Sequence, residues 1–456
     1  MDRTEELGKA PIGSLLLRFS LPAIVGMMVN AIYNVVDRIF IGQGVGPLGL
    51  AGATVAFPLM LILMAFGMLV GMGGSALVSI RLGEKKEAEA EHILGNAAFL
   101  LGAIALTLTV LGLSFLTPLL RLFGASDAIL PYAKDYSSII LMGSIFQAMG
   151  FGMNNFIRGE GNPKVAMATM LIGALLNIIL DALFILVLGM GVRGAALATV
   201  ISQGVSALWV MAYYLGGRSH LKLRLRNLAP KSGIVLPMLA IGMAPFAMQL
   251  ASSALNGLLN NQLQRYGGDL AVSTMGIIFS VVTFFLMPIF GLNQGVQPIV
   301  GYNYGARNFG RVRTAMLLAI GAASSLVTGG WLLIQLFPRA FAGLFAGSSL
   351  ELLELGSRAL RIYLLMMPLI GFQIVAAGYF QASGKPKQAM LLSLSRQVLL
   401  LIPLIITLPL RFGLTGLWMA PPIADLLSAL LTGLFFFREL RGLAHAQRKT
   451  DELAPA

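Results

Sequence analysis

The feature that most constrains this chain is a series of twelve apolar runs, each long enough to cross a bilayer core, which takes about 20 residues. Only 11% of the residues are charged, against roughly 25% in soluble proteins, so soluble, disordered and fibrous classes are excluded. The sequence predicts an all-α integral membrane protein with twelve transmembrane helices, named spans 1 to 12 in chain order. The runs lie near residues 16–41, 51–79, 93–116, 134–157, 165–189, 194–215, 234–263, 270–299, 313–336, 357–381, 389–410 and 414–437.

The distribution of basic residues predicts the orientation of the spans. An even number of spans places both termini on one side, where 23 of the 32 Lys and Arg residues lie in tails and loops. Because such loops remain in the cytoplasm, we expect both termini to be cytoplasmic and the chain to be a multi-pass protein of the cytoplasmic (inner) membrane of a prokaryote. No cleavage pattern follows the first run, so we expect it to be retained as span 1. The basic residues form no single patch, which argues against a nucleic-acid partner.

An internal repeat divides the chain into two copies. The sequence RGEGNPKVAM at 158–167 aligns with QASGKPKQAM at 381–390, a shift of about 223 residues. Six spans per copy give both copies the same orientation, so they are related by a pseudo-two-fold axis along the membrane normal. We expect an N-terminal six-helix lobe at 1–215, a cytoplasmic linker at 216–233, and a C-terminal six-helix lobe with a cytoplasmic tail at 234–456. Such repeats are typical of transporters whose two lobes rock around a central cavity.

Three carboxylates lie inside the apolar runs, where ionisable groups are costly and therefore indicate function. They are Asp37, Asp181 and Asp425. Asp37 on span 1 shares a helix face with Tyr33, and Asp181 on span 5 shares one with Asn177, because residues four apart are neighbours on a helix.

The first two acids are predicted to meet near Thr199 of span 6. Asp181 lies about 8 residues from the outer end of its run, roughly 12 Å at the helical rise, and Thr199 lies at a similar depth. Two carboxylates sharing an apolar pocket titrate as a coupled pair, which makes a proton carrier. Alternatively, oxygens of Asp37, Asn177, Asp181 and Thr199 could hold a sodium ion. The plainer interpretation is that Asp37, beside Arg38, is solvated and that Asp181 makes a packing hydrogen bond.

Two other charged residues have plainer interpretations. Asp425 follows Pro421 and Pro422, which favours a hydrogen bond at a helix bend. Arg396 lies about seven residues from the cytoplasmic end of span 11 and is within snorkelling distance of the membrane surface.

A substrate cavity is predicted from two further patterns. Methionines recur every four residues on span 2, and thioethers adapt to varied apolar shapes, although a lipid-facing or packing role is also compatible with that stripe. Buried amides line water-filled cavities or bridge helices. The candidate cavity residues are Met60, Met64, Met68, Asn154, Asn256, Asn260, Asn293 and Gln297.

Taken together, these residues resemble the MATE (multidrug and toxic compound extrusion) family, and within it the DinF-like branch. The resemblance rests on Tyr33, Asp37 and Pro22 of span 1, the paired RGEGNPK and QASGKPK loops, and the span 5 and 6 set Asn177, Asp181 and Thr199. It implies export of amphipathic, often cationic, compounds in exchange for protons or sodium, with no other cofactor. It also implies that this set forms the cation-linked cluster and that Pro22 is the hinge of helix 1. Spans 7, 8 and 10 contain no acid, unlike the NorM-like branch, so a second cation site is not expected.

Two other functional classes share parts of this pattern. A lipid-linked precursor flippase of the same superfamily is the nearest alternative, but here the charges inside the spans are mainly acidic. A membrane-embedded enzyme would need catalytic or metal-ligating residues at depth, whereas the chain has no Cys and its three His lie in polar breaks. We therefore expect a transporter, not an enzyme, that acts as a monomer in the bilayer without a resident metal.

Overall fold

The computed structural model describes residues 3–346 and 349–452, and within these ranges every regular element is a helix. The terminal residues 1–2 and 453–456, which the topology prediction includes, lie outside the described residues.

The first lobe has four unbroken or nearly unbroken long helices and two that contain irregular turns. Spans 1, 2, 3 and 6 are Ile12–Gly44, Pro47–Gly83, Glu87–Ser114 and Gly191–Leu215. Span 4 comprises Leu130–Met142, Ser144–Gln147, a π-helical turn at Ala148–Gly152 and Met153–Gly159, and span 5 comprises Pro163–Asp181 and the π-helical Ala182–Val187.

The second lobe repeats this plan. Spans 7 and 8 form one continuous element, Ser232–Gly305, and span 9 is Phe309–Leu336. Span 10 comprises Leu350–Tyr363 and Met367–Ala382, span 11 comprises Pro386–Leu394, the π-helical Ser395–Leu401 and Ile402–Thr407, and span 12 is Pro409–Glu452. Short helices precede span 1 (Arg3–Lys9) and follow spans 3 and 9 (Leu116–Leu122 and Pro338–Ala346), and a 3₁₀ turn (Leu225–Asn227) lies in the linker.

The number of spans agrees with the sequence prediction. Nine helices of the described chain are long and apolar enough to cross a membrane, and two bent pairs, in spans 4 and 10, add one crossing each. The 74-residue element contributes two crossings because its backbone leaves the helical region at Gly268, where φ is +59°. Glycine adopts that conformation without steric cost. The protein is therefore an all-α membrane protein of twelve spans, as predicted.

The halves of the two lobes that lie on the side of the termini, predicted to be cytoplasmic, pack with their backbones in direct contact. Span 2 crosses span 7 where a Cβ atom on Gly73 would overlap the carbonyl oxygen of Met238, and one on Gly242 would overlap that of Leu69. Spans 1 and 8 meet in the same way at Gly291 and Gly295. Among the described glycines, none makes such a contact between the outer halves of the lobes. The structure is therefore closed on the side predicted to be cytoplasmic.

The linker between the lobes is bound to the first lobe. Leu221 is buried in the core of that lobe, and the Asn96 side chain of span 3 donates to the carbonyl of Asn227 at 2.9 Å. The loop carboxylate of Glu160 is also buried and accepts a hydrogen bond from Ser219 at 2.6 Å. The segment after span 12, predicted as a tail, continues the helix to Glu452.

Candidate functional site

The two acids of the first lobe lie against each other. Asp37 of span 1 and Asp181 of span 5 are within hydrogen-bonding distance through their carboxyl groups. Asp181 is completely buried, and the Oδ1 atoms of both residues are buried without a hydrogen-bond partner among the described residues. Two ionised carboxylates cannot donate to each other, so this contact needs a proton or a cation between the oxygens.

Asn177 and Thr199 complete the cluster, in which all four predicted residues come together. Turned to satisfy both of its ends, the Asn177 amide donates to Asp181 Oδ2 at 3.1 Å and accepts from the Thr199 backbone N–H at 3.3 Å. The Thr199 hydroxyl donates to the carbonyl of Ala195 at 3.0 Å, which leaves its lone pairs free to accept or to bind a cation. Tyr33 lies near both acids and beside Asn30 and Asn34 of its own helix.

One member of the cluster was missed by sequence reasoning. Tyr136 of span 4 is buried beside Asp37, Asp181 and Thr199, and its hydroxyl also contacts the sulfur of Met60 at 3.7 Å. Tyr136 lies in the first part of span 4, which bends by 55° after Met142. Because of this bend, counting residues from the membrane surface does not predict that Tyr136 contacts the two acids. The contact with Met60 places one end of the methionine stripe next to the acids.

The backbone around Asp181 is irregular. The α-helix ends at Asp181 and a π-helical segment, Ala182–Val187, follows directly. A π-helical turn leaves backbone groups without their usual partners and recurs at functional sites. The neighbouring Arg38 does not pair with Asp37: its guanidinium lies over the ring of Phe57, with 5.3 Å to the centroid.

The predicted hinge of span 1 lies in an unbroken helix. Pro22 is buried, and the helix runs through it from Ile12 to Gly44. Its neighbours Ser20 and Ile24 contact span 8 at Gly295 and Gly291, so any bend at Pro22 would alter the contact between the lobes.

The predicted cavity residues separate into three groups. Met60, Met64 and Met68 are half-buried on one face of span 2. Asn256 and Asn260 are exposed on the outer half of span 7. The other three amides lie within packed helices: Asn154 donates to the carbonyl of Ala166 at 3.2 Å, Asn293 lies against Gly378 of span 10, and Gln297 faces the first lobe from span 8.

In the second lobe, Arg396 and Asp425 form an ion pair between spans 11 and 12. The carbonyl of Asp425 also accepts a hydrogen bond from Gln373 of span 10. The snorkelling interpretation of Arg396 is therefore wrong, because its guanidinium points to the buried carboxylate and not to the membrane surface. Arg396 lies in the π-helical segment Ser395–Leu401 of span 11.

No group of three or more His, Cys, Asp or Glu side chains with metal-binding geometry occurs in the part of the chain that the structure describes. The carboxyl, amide and hydroxyl groups of Asp37, Asp181, Asn177 and Thr199 are of the kinds that bind a proton or a hard cation. They provide no nucleophile and general-base pair that would indicate catalysis.

Comparison with known proteins agrees with this fold. The sequence profile of the MatE family matches residues 22–183 and 245–407, one segment in each lobe. The multidrug export protein MepA of Staphylococcus haemolyticus (strain JCSC1435) is 27% identical over 433 residues, 95% of each chain, and MepA of Staphylococcus aureus (strain MSSA476) is 27% identical over 431 residues, 94% of each chain.

Solved structures share the whole architecture. The MATE multidrug transporter DinF-BH, in complex with a rhodamine dye, is 43% identical, with a TM-score of 0.86 over 93% of this chain and 95% of that one. An outward-facing multidrug resistance MATE transporter of the MOP superfamily is 27% identical, with a TM-score of 0.90 over 96% of this chain and 98% of that one.

Proposed function

The chain belongs to the MATE family of multidrug transporters, and on that premise we propose that it exports amphipathic, often cationic, compounds in exchange for protons bound at Asp37 and Asp181. The fold is that of a transporter and not of an enzyme. The observation that carries the proposal is the direct contact of two carboxyl groups, one completely buried, inside the first lobe.

Proton binding accounts for this contact more simply than a packing role does. Two buried carboxylates repel each other strongly in a low-dielectric interior, and one proton shared between them removes the repulsion. A cationic substrate entering the lobe favours the ionised pair, whereas a proton neutralises it. The pair therefore favours binding of one or the other, which is what exchange requires.

Sodium is the second candidate for the coupling cation. A sodium ion would be held by the carboxylates of Asp37 and Asp181 and the hydroxyl of Thr199, with the Asn177 amide turned so that its oxygen faces the acids, since hard cations prefer oxygen ligands. Both cations would use the same four residues, so only a gradient experiment separates them.

Alternating access is the proposed route across the membrane. Closure of the cytoplasmic halves through spans 1, 2, 7 and 8 leaves the substrate path open to the outer side, and rocking of the lobes would reverse this. We also propose that both termini are cytoplasmic, an orientation that a reporter fused after span 12 would reveal.

The test is transport of the rhodamine dye by the purified chain in proteoliposomes, with a proton gradient or a sodium gradient imposed separately. DinF-BH binds this dye, which makes it the first probe to use. We expect the proton gradient to drive dye movement, and we expect a protonophore, which dissipates that gradient, to abolish it. Movement under the sodium gradient alone would favour the sodium alternative, and no dye movement under either gradient would contradict cation-coupled export of this compound.

A further inference from the structure

A small polar cavity lies between the lobes on the cytoplasmic side, apart from the acid pair. It is enclosed by spans 2 and 4 of the first lobe and span 8 of the second. Its free volume is about 10 Å³, close to the space that one water molecule needs. The polar side chains that line it are those of Ser75, Ser79, Asn155, Arg158, Gln294 and Gln297.

Arg158 brings a positive charge into this cavity without a negative partner. Its side chain is only 6% exposed, and no carboxylate of the described chain lies within ion-pair distance of it. Its Nη2 donates to Asn155 Oδ1 at 2.6 Å, and its Nη1 lies 3.9 Å from the sulfur of Met170. The nearby Glu160 is bonded instead to Ser219 and the linker. A buried guanidinium has five N–H donors and normally faces a carboxylate or another anion.

The opposite lobe directs further hydrogen-bonding capacity toward the same space. The buried Nε2 of Gln297, a donor, has no partner among the described residues, and neither has the Oε1 of Gln294, an acceptor. The two serine hydroxyls already donate to backbone carbonyls, Ser75 to Asn155 at 2.7 Å and Ser79 to Gly159 at 3.0 Å. Of these unused groups, the Nε2 of Gln297 is the donor that an anion requires.

We propose that this cavity binds a small monovalent anion of the size of chloride, held between Arg158 of the first lobe and Gln297 of the second. The space is too small for phosphate or an organic carboxylate, and a water molecule would leave the charge of Arg158 unbalanced. Because its ligands come from both lobes, the site exists only while the cytoplasmic side is closed. Anion binding therefore stabilises that conformation, since a ligand stabilises the state that binds it.

The experiment measures binding and not transport, so its outcome is independent of the proposed function. The midpoint of thermal unfolding of the purified full-length protein is followed while chloride replaces gluconate, which cannot enter the cavity, at constant ionic strength. We expect a saturable rise for the wild type and its loss in Arg158→Gln. The matched control is Arg193→Gln, which removes an exposed guanidinium paired with Asp135 and should keep the full rise.

A second variant keeps the test decisive if Arg158→Gln does not fold. Gln297→Leu removes a donor from the other lobe without touching the charge, and we expect about tenfold weaker apparent chloride affinity, the effect of losing one hydrogen bond to a charged group. Bromide should also give an anomalous diffraction peak beside the Arg158 guanidinium. Equal stability of the wild type in chloride and gluconate, or an equal chloride effect in all variants, would overturn the proposal.

Discussion

At the scale of single residues, the contact between Asp37 and Asp181 concentrates the chemistry of the protein in two side chains. Each is flanked by a hydrogen-bonding residue on its own helix, and Tyr136 covers them from span 4. An isosteric amide at either position keeps the shape but removes the exchangeable charge. The role of the pair can thus be tested without disturbing the packing around it.

We expect Asp37→Asn and Asp181→Asn each to abolish gradient-driven transport of the rhodamine dye while leaving the thermal stability of the protein close to that of the wild type. Initial rates in proteoliposomes at matched protein content measure the effect. The control is Asp135→Asn, an exposed acid at the outer surface that pairs with Arg193, which should transport normally. Wild-type rates in both first-lobe variants would make the pair structural and move the coupling site elsewhere.

The ion pair of the second lobe leads to a prediction about stability. Asp425 is almost completely buried beside Arg396, and removing one member of a buried pair leaves an uncompensated charge at a cost of about 3–5 kcal/mol. We expect Arg396→Met or Asp425→Leu alone to lower the unfolding midpoint more than the double variant does. Thermal unfolding of the three proteins in one detergent measures this. If the double variant loses as much stability as the two single variants together, Arg396 and Asp425 do not interact directly.

The buried loop acid Glu160 leads to a prediction about pH. Burial raises the pKa of Glu160 above its usual range, against the hydrogen bonds from Ser219, Tyr213 and the Leu221 N–H and the charge of His220. A raised native pKa means that the folded state binds the proton more tightly, so binding of the linker is strongest below that pKa and weakens as the pH rises through it. We expect the protection factors of the 219–221 amides, which remove the ordinary base-catalysed rise of exchange with pH, to fall as the pH rises past the raised pKa of Glu160.

The control for this effect is a second acid that contacts the same linker. Glu160→Gln should remove the pH dependence of these protection factors. Glu91→Gln, which removes an ion pair with Arg224, should retain it. A pH dependence that persists in Glu160→Gln would assign the titration to another group.

Part of the site follows from the sequence, and the reason is geometric. Helical periodicity pairs Asp37 with Tyr33 and Asp181 with Asn177, and counting residues from the membrane surface brings in Thr199. Such counting fails where the chain is irregular or where a loop is buried. Arg158 and Glu160 belong to a polar break between spans, a pattern that predicts a solvated cytoplasmic loop. Both are nevertheless buried, because the linker and the second lobe cover them.

At the scale of helices, close backbone packing decides how the lobes meet. Spans 2 and 7 can cross only because Gly73 and Gly242 have no side chain at the contact. Composition and hydropathy predict the spans but not these crossings, nor the π-helical turns in spans 4, 5 and 11, which insert a residue without changing the apolar pattern.

We expect Gly242→Ala to open the cytoplasmic contact, because the added methyl group would overlap the carbonyl oxygen of Leu69. A single cysteine at the buried Ser79, in this otherwise cysteine-free chain, should then react faster with a thiol reagent applied from the cytoplasmic side. Gly257→Ala is the matched control, since the same span has open space at that position. Equal labelling rates in the two variants would contradict close backbone contact between spans 2 and 7.

At the scale of the whole molecule, two connections join the lobes. They are the linker and the contact of spans 1 and 2 with spans 7 and 8. The number of apolar runs predicts twelve spans, and the internal shift of about 223 residues predicts two lobes. Both predictions are confirmed. The conformation could not be predicted from the sequence, because the alternating access that we propose requires the same sequence to be stable both when the cytoplasmic side is closed and when it is open. Differences of a few kcal/mol separate such states.

The rocking mechanism requires the cytoplasmic contact to break in every cycle, and a covalent bond across it tests this directly. A Cβ atom on Gly301 of span 8 would lie 2.9 Å from Cβ of Ser79 of span 2. A disulfide needs about 3.8 Å between these atoms, so Ser79→Cys with Gly301→Cys should form one after a separation of about 1 Å. We expect the oxidised protein to lose transport of the rhodamine dye and to bind the dye from the outer side as before, and reduction to restore transport. Each single-cysteine variant is the control for the substitutions themselves. Full transport by a completely cross-linked sample would mean that the lobes do not separate here and that substrate crosses within one lobe.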